Sequence, residues 1–327
     1  MGNILVDPGT IIIVQIGKIG DMILTTPLFR EIKKIYPDSF LSVLASDTNR
    51  IIAENDHNVD KVITYRKNFL STFQLCFSSV KNQDIWIDTK NNYSRTSSIL
   101  PKIFKPKLSL GYNFSKPVFN IDLKNFQSGD HATDINLSPI KYLAENKYPQ
   151  SKIPELKIPD SVKLRIDPLI NKKSDSINIV INISAGDESR YLQKEKWAEI
   201  IKGIGRNERF NICLTGLDRD KDILDYLINN TEKQVVYHIK TENILETAEV
   251  ISKCNIVITP DTSIIHICSA FNKPVIGIYP DIKWNLEKFY PLSDKKEVVV
   301  SASKRNIADV TSAQILGSFE RLYKLLY

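Results

Sequence analysis

Residues 11–16 (IIIVQI) form a continuous apolar run dominated by β-branched side chains, the pattern of a strand buried on both faces of a parallel sheet. After Gly17, Lys18, Ile19 and Gly20, apolar residues return at roughly helical spacing as Met22, Leu24, Leu28, Ile32 and Ile35, and Pro37-Asp38 stops the pattern. Strand, glycine turn and helix make half of a βαβ unit. The same alternation predicts strands over 40–45, 61–65, 84–88 and 108–111, with helix-length segments between most of them. From 113 to 173 it loosens, and Pro149, Pro154, Pro159 and Pro168 among scattered lysines read as a linker. A second series follows, with strands predicted over 177–183, 210–214, 234–239, 255–259 and 274–279. Helices are predicted between them over 195–204, 218–228, 244–252 and 263–271. A last amphipathic helix is expected over 312–326. The pattern predicts an α/β chain of two doubly wound, Rossmann-like halves.

Composition narrows this picture. A length of 327 residues with 42% hydrophobic and 25% charged side chains suits two domains with sizeable cores and excludes wholesale disorder. No apolar run is long enough to span a bilayer, and the start MGNILVDPGT has neither a basic nor a long apolar leader segment, so the expected location is the cytoplasm. Cys76, Cys213, Cys254 and Cys268 lie far apart with no CxxC pair, which disfavours both a disulfide framework and a zinc site and predicts buried small hydrophobes. Charge is uneven. Between Lys61 and Lys124 there are eleven Lys and Arg against three Asp, a net +8 in a chain whose total is +6. Such a window is either a solvated face or the footprint of an anionic partner: a phosphorylated substrate, a membrane surface or nucleic acid.

Three constellations could carry chemistry. The first is Gly17-Lys18-Ile19-Gly20-Asp21 after the first strand, where glycines permit close approach and a helix N-terminus favours anions. Its spacing meets neither the dinucleotide fingerprint nor the P-loop pattern. Asp21 is either a helix cap or a general base at the carboxyl end of a sheet. The second is Asn182 to Gly186, through Ser184 and Ala185, followed by Arg190 and Lys194, which suits a phosphate cradle. The third is Thr259-Pro260-Asp261-Thr262-Ser263, in which a strand ends in residues that cap a helix, with His266 one turn in. His266 is either a core histidine or part of a polar site. His57, His131 and His238 show no metal-ligand spacing, and the chain has no G-x-S-x-G elbow.

The run from Ile16 to Leu28 (IGKIGDMILTTPL) with Tyr36-Pro37-Asp38, the segment Asn182–Gly186 with Arg190 and Trp197, and Ile258 to Ser263 with His266 together resemble the family 9 glycosyltransferases, the ADP-heptose:lipopolysaccharide heptosyltransferases. The resemblance covers nearly the whole chain in order and separation. It implies a GT-B fold of two Rossmann-like domains facing across a cleft: an acceptor domain over 1–165, a nucleotide-sugar domain over 166–310 and a helix over 311–327 crossing back to the first. It further implies an inverting, metal-independent transfer with no cofactor beyond the nucleotide-sugar, ADP-heptose foremost, in which Asp21 is the base. Ser184, Ala185, Gly186, Arg190, Asp261, Thr262, Ser263 and His266 would hold the donor, and Gly216 with Asp220 or Asp218 its ribose. Gly17, Lys18, Gly20 and Arg95 would meet the acceptor. An anionic glycolipid, the lipopolysaccharide core, would be that acceptor. The basic window would then touch the inner face of the inner membrane transiently, and nucleic acid would not be a partner.

Two departures stand out: Ser263 occupies a usual glycine, and Tyr279-Pro280-Asp281 replaces a usual Gly-Pro-Thr. Donors such as UDP-N-acetylglucosamine therefore remain alongside ADP-heptose. A non-catalytic sugar- or nucleotide-binding protein is a further alternative. So is a nicotinamide-dependent oxidoreductase with Asp47 on the ribose, although it lacks the glycine fingerprint.

Overall fold

The computed structural model describes residues 7–66, 68–76, 83–144, 151–170, 176–231 and 236–327. Lys67, Lys81, Pro149, the start of the strand expected over 234–239 and the side chain of Cys76 lie outside the described residues. The chain divides into two compact units, Met1–Lys157 and Ile158–Tyr327.

The first unit holds six parallel strands: β1 (Thr10–Gln15), β2 (Phe40–Ala45), β3 (Lys61–Thr64), β4 (Ile85–Asp88), β5 (Leu108–Gly111) and β6 (Ile121–Asp122). They lie in the order 3-2-1-4-5-6. The β-branched run of β1 sits at the centre because both of its faces are covered: Ile11, Ile12 and Ile13 have no exposed surface. On one face Ile12, Val14, Leu44 and Trp86 pack with Leu100 and Phe104.

The second unit repeats the plan with β7 (Ile177–Asn182), β8 (Phe210–Thr215), β9 (Val236–His238), β10 (Ile256–Pro260), β11 (Val275–Tyr279) and β12 (Lys296–Val300). Its order is β12-β11-β10-β7-β8-β9, the mirror listing of the same sequence of strands. Ile179, Ile181, Ile212, Ile258 and Ile276 fill its core against Trp197. In each sheet the order reverses between the unit's first and fourth strands, and at such a point loops diverge to leave a crevice at the carboxyl ends.

Several features differ from the sequence pattern. The strand β12 was not anticipated, because only Val299 of its five residues is buried and an edge strand carries half the apolar signal. The stretch expected to be a linker contains the helices Ala132–Asn136 and Ser138–Leu143, and Asn136 donates to Leu24 O at 2.9 Å. The helix Asp160–Ile166 already belongs to the second unit, which puts the boundary at 157/158 instead of 165/166. The last helix, Ser312–Lys324, buries Ile315, Phe319 and Leu322 in the core of the second unit and groups with it, whereas the family resemblance implies a helix crossing back to the first. Cys213, Cys254 and Cys268 are free and buried, and burial pushes the Cys213 and Cys254 thiols up to about 12. Among the described residues no helix is long and apolar enough to cross a membrane.

One ion pair fastens the start of the second unit. Arg165 Nε donates to Glu246 Oε1 at 2.7 Å and Arg165 Nη2 to Oε2, while Glu242 N donates to Oε2 at 2.6 Å. Burial alone would raise the Glu246 pKa, but Arg165 and the backbone amides prevail and hold it below the usual carboxylate value. A depressed carboxylate pKa adds stability that is present above its unfolded value and is lost as pH falls through the folded one. Glu246→Gln is therefore expected to cost about 2 kcal/mol at neutral pH. Urea denaturation at several pH values should show the gap to the parent closing once pH drops below the ordinary glutamate range.

Candidate active site

The loop leaving β1 is held from several sides. Asn49, fully buried, donates through Nδ2 to Gln15 O at 2.8 Å and to Gly17 O at 3.2 Å, and Ser46 Oγ donates to Gly17 O at 3.1 Å. Gln15 Nε2 bonds Thr25 Oγ1 at 3.0 Å, and Thr25 Oγ1 donates to Asp21 O at 2.7 Å. These contacts fix the short helix Ile19–Ile23 on which Asp21 is the third residue. The Asp21 carboxylate is half-buried, and its Oδ2 accepts from Lys18 N at 2.9 Å. Among the described residues Oδ1 has no protein partner. The cap and base readings of Asp21 are thus compatible: one oxygen closes the turn and the other is available.

Gly17 explains itself by contact. A Cβ there would come within 2.5 Å of Asp21 Oδ2 and 2.8 Å of Gln15 Oε1. Both are ends of flexible side chains, so Gly17→Ala should fold normally but swing the carboxylate aside. A displacement of a fraction of an ångström at a reacting group suggests roughly a tenfold fall in kcat, to be read from initial rates beside an unchanged melting temperature. Of the other residues expected at the acceptor, Lys18 and Gly20 flank Asp21 on this loop, with Lys18 exposed. Arg95 is exposed on the first turn of the helix Arg95–Phe104 that follows β4, the strand beside β1.

Asp88, the last residue of β4, entered the sequence reading only as one of the three acids of the basic window, and Thr89 after it did not enter at all. Asp88 lies across from Val14 of β1 and is 2% exposed. Its Oδ1 accepts from Lys90 N at 3.0 Å, but its Oδ2 and Thr89 Oγ1 are buried without a hydrogen-bond partner among the described residues. Desolvation raises the Asp88 pKa despite bonds from Ser97 and Lys90. A strand-end aspartate in an otherwise apolar run was the signal available for it.

In the second unit the loops after β7, β8 and β10 converge. Asn182 Nδ2 donates to Ser184 O at 2.9 Å and to Thr259 Oγ1 at 3.0 Å, joining the ends of the two central strands. Ser184 Oγ donates to Asp220 Oδ2 and accepts from Leu217 N at 2.8 Å; Tyr191 OH donates to Asp220 Oδ1 at 2.8 Å; Arg219 Nη2 donates to Ala185 O. Asp220, expected on a ribose, is 4% exposed and has both oxygens engaged in tying these loops together. Its alternative Asp218 is on the surface, 3.0 Å from Lys240. Gly216 is confined by Leu224, Ile183 and Ser184, whereas a Cβ on Gly186 would meet nothing within 4 Å.

Asp261 is the hub of the remaining group. It is 3% exposed, Arg190 Nη1 lies 3.1 Å from its Oδ2 and 2.7 Å from its carbonyl oxygen, and Asn285 Nδ2 donates to Oδ2 at 2.6 Å. Thr262 caps the helix Ser263–Ala270 by accepting from Ile264 N at 3.3 Å, and its Oγ1 is 3.3 Å from Thr259 Oγ1. Ser263, half-buried, opens that helix. His266 is 4% exposed, with its ring 5.8 Å from that of Phe289. Sequence reasoning missed Tyr191, Arg219 and Asn285, whose roles depend on distant partners. Asp47 pairs with Arg66 at 2.9 Å on the surface. Among the described residues no three His, Cys, Asp or Glu side chains group as a metal site.

Two six-stranded parallel sheets of one topology, with polar loops gathered where each strand order reverses, make the GT-B architecture. The chain belongs to glycosyltransferase family 9, the heptosyltransferase family, whose model matches residues 78–318. Similar solved structures include a family 9 glycosyl transferase from Veillonella parvula (TM-score 0.84, 16% identity, 98% of each chain). Another is the Escherichia coli ADP-heptose LPS heptosyltransferase II (TM-score 0.75, 18% identity, 97% of this chain and 99% of that one). A third is the E. coli heptosyltransferase WaaC with ADP (TM-score 0.73, 15% identity, 96% and 99%).

Proposed function

We propose that this glycosyltransferase moves a sugar from a nucleotide-sugar, ADP-heptose before others, to a lipopolysaccharide core acceptor, by a single displacement that inverts the anomeric centre and uses no metal. Asp21 supplies the base. Its Oδ1 takes the proton of the acceptor hydroxyl as that oxygen bonds to the anomeric carbon; the bond to the diphosphate breaks and the diphosphate departs with the electron pair. Arg190, the N-terminus capped by Thr262 and the hydroxyl of Ser263 neutralise it. The observation that carries this reading is the carboxylate of Asp21, tethered through one oxygen to Lys18 N and, among the described residues, without a protein partner on the other. It lies outside the span matched by the family model, so the geometry of the loop supports it independently.

The solved structures of heptosyltransferase WaaC described with ADP and with ADP-2-deoxy-2-fluoro heptose favour an adenine donor. The departures from the usual family residues at Ser263 and Tyr279-Pro280-Asp281 keep UDP-N-acetylglucosamine as the second donor. The partners are then a nucleotide-sugar and an anionic glycolipid, met by a cytoplasmic protein that touches the inner face of the inner membrane. A panel of ADP- and UDP-sugars incubated with a deacylated core oligosaccharide and followed by mass spectrometry tests the proposal. A mass gain of one heptose, with ADP-heptose only, is expected. Transfer from UDP-N-acetylglucosamine alone would establish the second reading, and no transfer from any donor would overturn both.

A further inference from the structure

The stretch 89–121 contains no Asp or Glu but six Lys and Arg. Lys107 pairs with Asp84 at 2.6 Å; among the described residues Lys90, Arg95, Lys102, Lys105 and Lys116 make no ion pair, and all five are exposed. Four large apolar side chains are exposed in the same stretch: Tyr93 at 66%, Ile99 at 51%, Ile103 at 36% and Phe114 at 49%. Single exposed hydrophobics are ordinary. These four are arranged. Tyr93, after β4, and Phe114, after β5, meet edge-to-face at 6.3 Å, which joins two loops at the carboxyl end of the sheet into one surface. Ile99 and Ile103 stand one turn apart on the exposed face of the helix Arg95–Phe104, whose opposite face buries Ser97, Leu100, Pro101 and Phe104. Arg95 and Lys102 flank them.

We infer that this surface docks on an anionic lipid bilayer, with Ile99, Ile103, Tyr93 and Phe114 entering the headgroup boundary and the cations meeting lipid phosphates. Charge complementarity to an acid-free cationic field calls for a polyanion. The aliphatic pair favours the bilayer: the phosphates that dominate affinity for a nucleic acid give exposed isoleucines no apolar partner, whereas the acyl boundary buries them. The inference rests on the proposed membrane-linked acceptor and deepens it. The surface starts at the end of β4, beside the loop that carries Asp21, so an acceptor anchored in the bilayer would reach that loop without leaving its membrane.

Sedimentation of the full chain with vesicles of phosphatidylcholine, with and without phosphatidylglycerol, tests it in the absence of any sugar. The protein should pellet with the anionic vesicles only, and less so at high salt. Replacing Lys102, Lys105 and Lys116 with Gln should weaken binding roughly a hundredfold, each lysine contributing about a factor of five. Ile99→Gln with Ile103→Gln should cost about tenfold at unchanged charge. No binding to anionic vesicles, binding that the isoleucine pair does not affect, or tighter binding to a single-stranded oligonucleotide than to vesicles would each overturn the inference. Turnover on a deacylated acceptor should be unchanged in both variants. Loss of all transfer would instead strike the proposed activity and leave the vesicle result standing.

Discussion

Asp21→Asn is expected to reduce sugar transfer by about 10²–10⁴-fold while the affinity for donor stays close to that of the parent. The asparagine is chosen for what it keeps. Its amide oxygen can still accept from Lys18 N, so the turn into the helix Ile19–Ile23 is preserved and only basicity is removed. If Asp21 were a cap and nothing more, the asparagine enzyme would work as well as the parent. Asp21→Ala should lose turnover to a similar extent and, unlike the asparagine, also lose about 1 kcal/mol of stability with the cap oxygen. Rates of nucleoside diphosphate release, calorimetric titration of donor and thermal melts together separate these outcomes. Full turnover in Asp21→Asn would end the proposal for this residue.

Arg190→Ala is expected to lower kcat/KM by about 10²-fold, because it removes the cation nearest the expected diphosphate and loosens Asp261 in the same step. The guanidinium bridges two atoms of Asp261, the carboxylate oxygen at 3.1 Å and the carbonyl oxygen at 2.7 Å. Through them it orients the turn that leads into the helix capped by Thr262. Lysine is a single point donor on a longer flexible stem, so Arg190→Lys should recover little of the loss. Asn285, which donates to Asp261 Oδ2 at 2.6 Å, is untouched by either substitution and should limit the structural damage. Steady-state kinetics with donor varied, set beside melting temperatures, provide the check; kinetics like those of the parent would remove Arg190 from the donor site.

Most of the fold was legible because burial writes periodicity into sequence. Central strands such as β1 and β7 are covered on both faces and appear as unbroken β-branched runs, and helices between them repeat apolar residues every three or four positions. Edge elements carry less of that imprint. The strand β12 has one buried residue, and β6 has two half-buried ones. The segment expected to be a linker carries helices for another reason: Asn136 donates to the backbone of the first unit, Ile166 is buried in the second, and Arg165 on the surface pairs with Glu246, and the partners of Asn136 and Arg165 lie more than eighty positions away in sequence.

The candidate site divides along the same line. The sequence by itself determined the two-sheet architecture and the three polar turns at strand ends, since a glycine, an N-cap hydroxyl or an aspartate after an apolar run is a local signal with a local cause. Only the tertiary structure decided what each side chain there is free to do. It occupied Asp220 with Ser184 and Tyr191, bound Asp261 between Arg190 and Asn285, and left one oxygen of Asp21 without a protein partner among the described residues. It also gathered Tyr93, Phe114 and an isoleucine pair into one cationic surface. Hydrogen-bond capacity is finite and is spent on whichever groups the fold brings near, and that assignment is a property of three-dimensional neighbours that residue spacing does not encode.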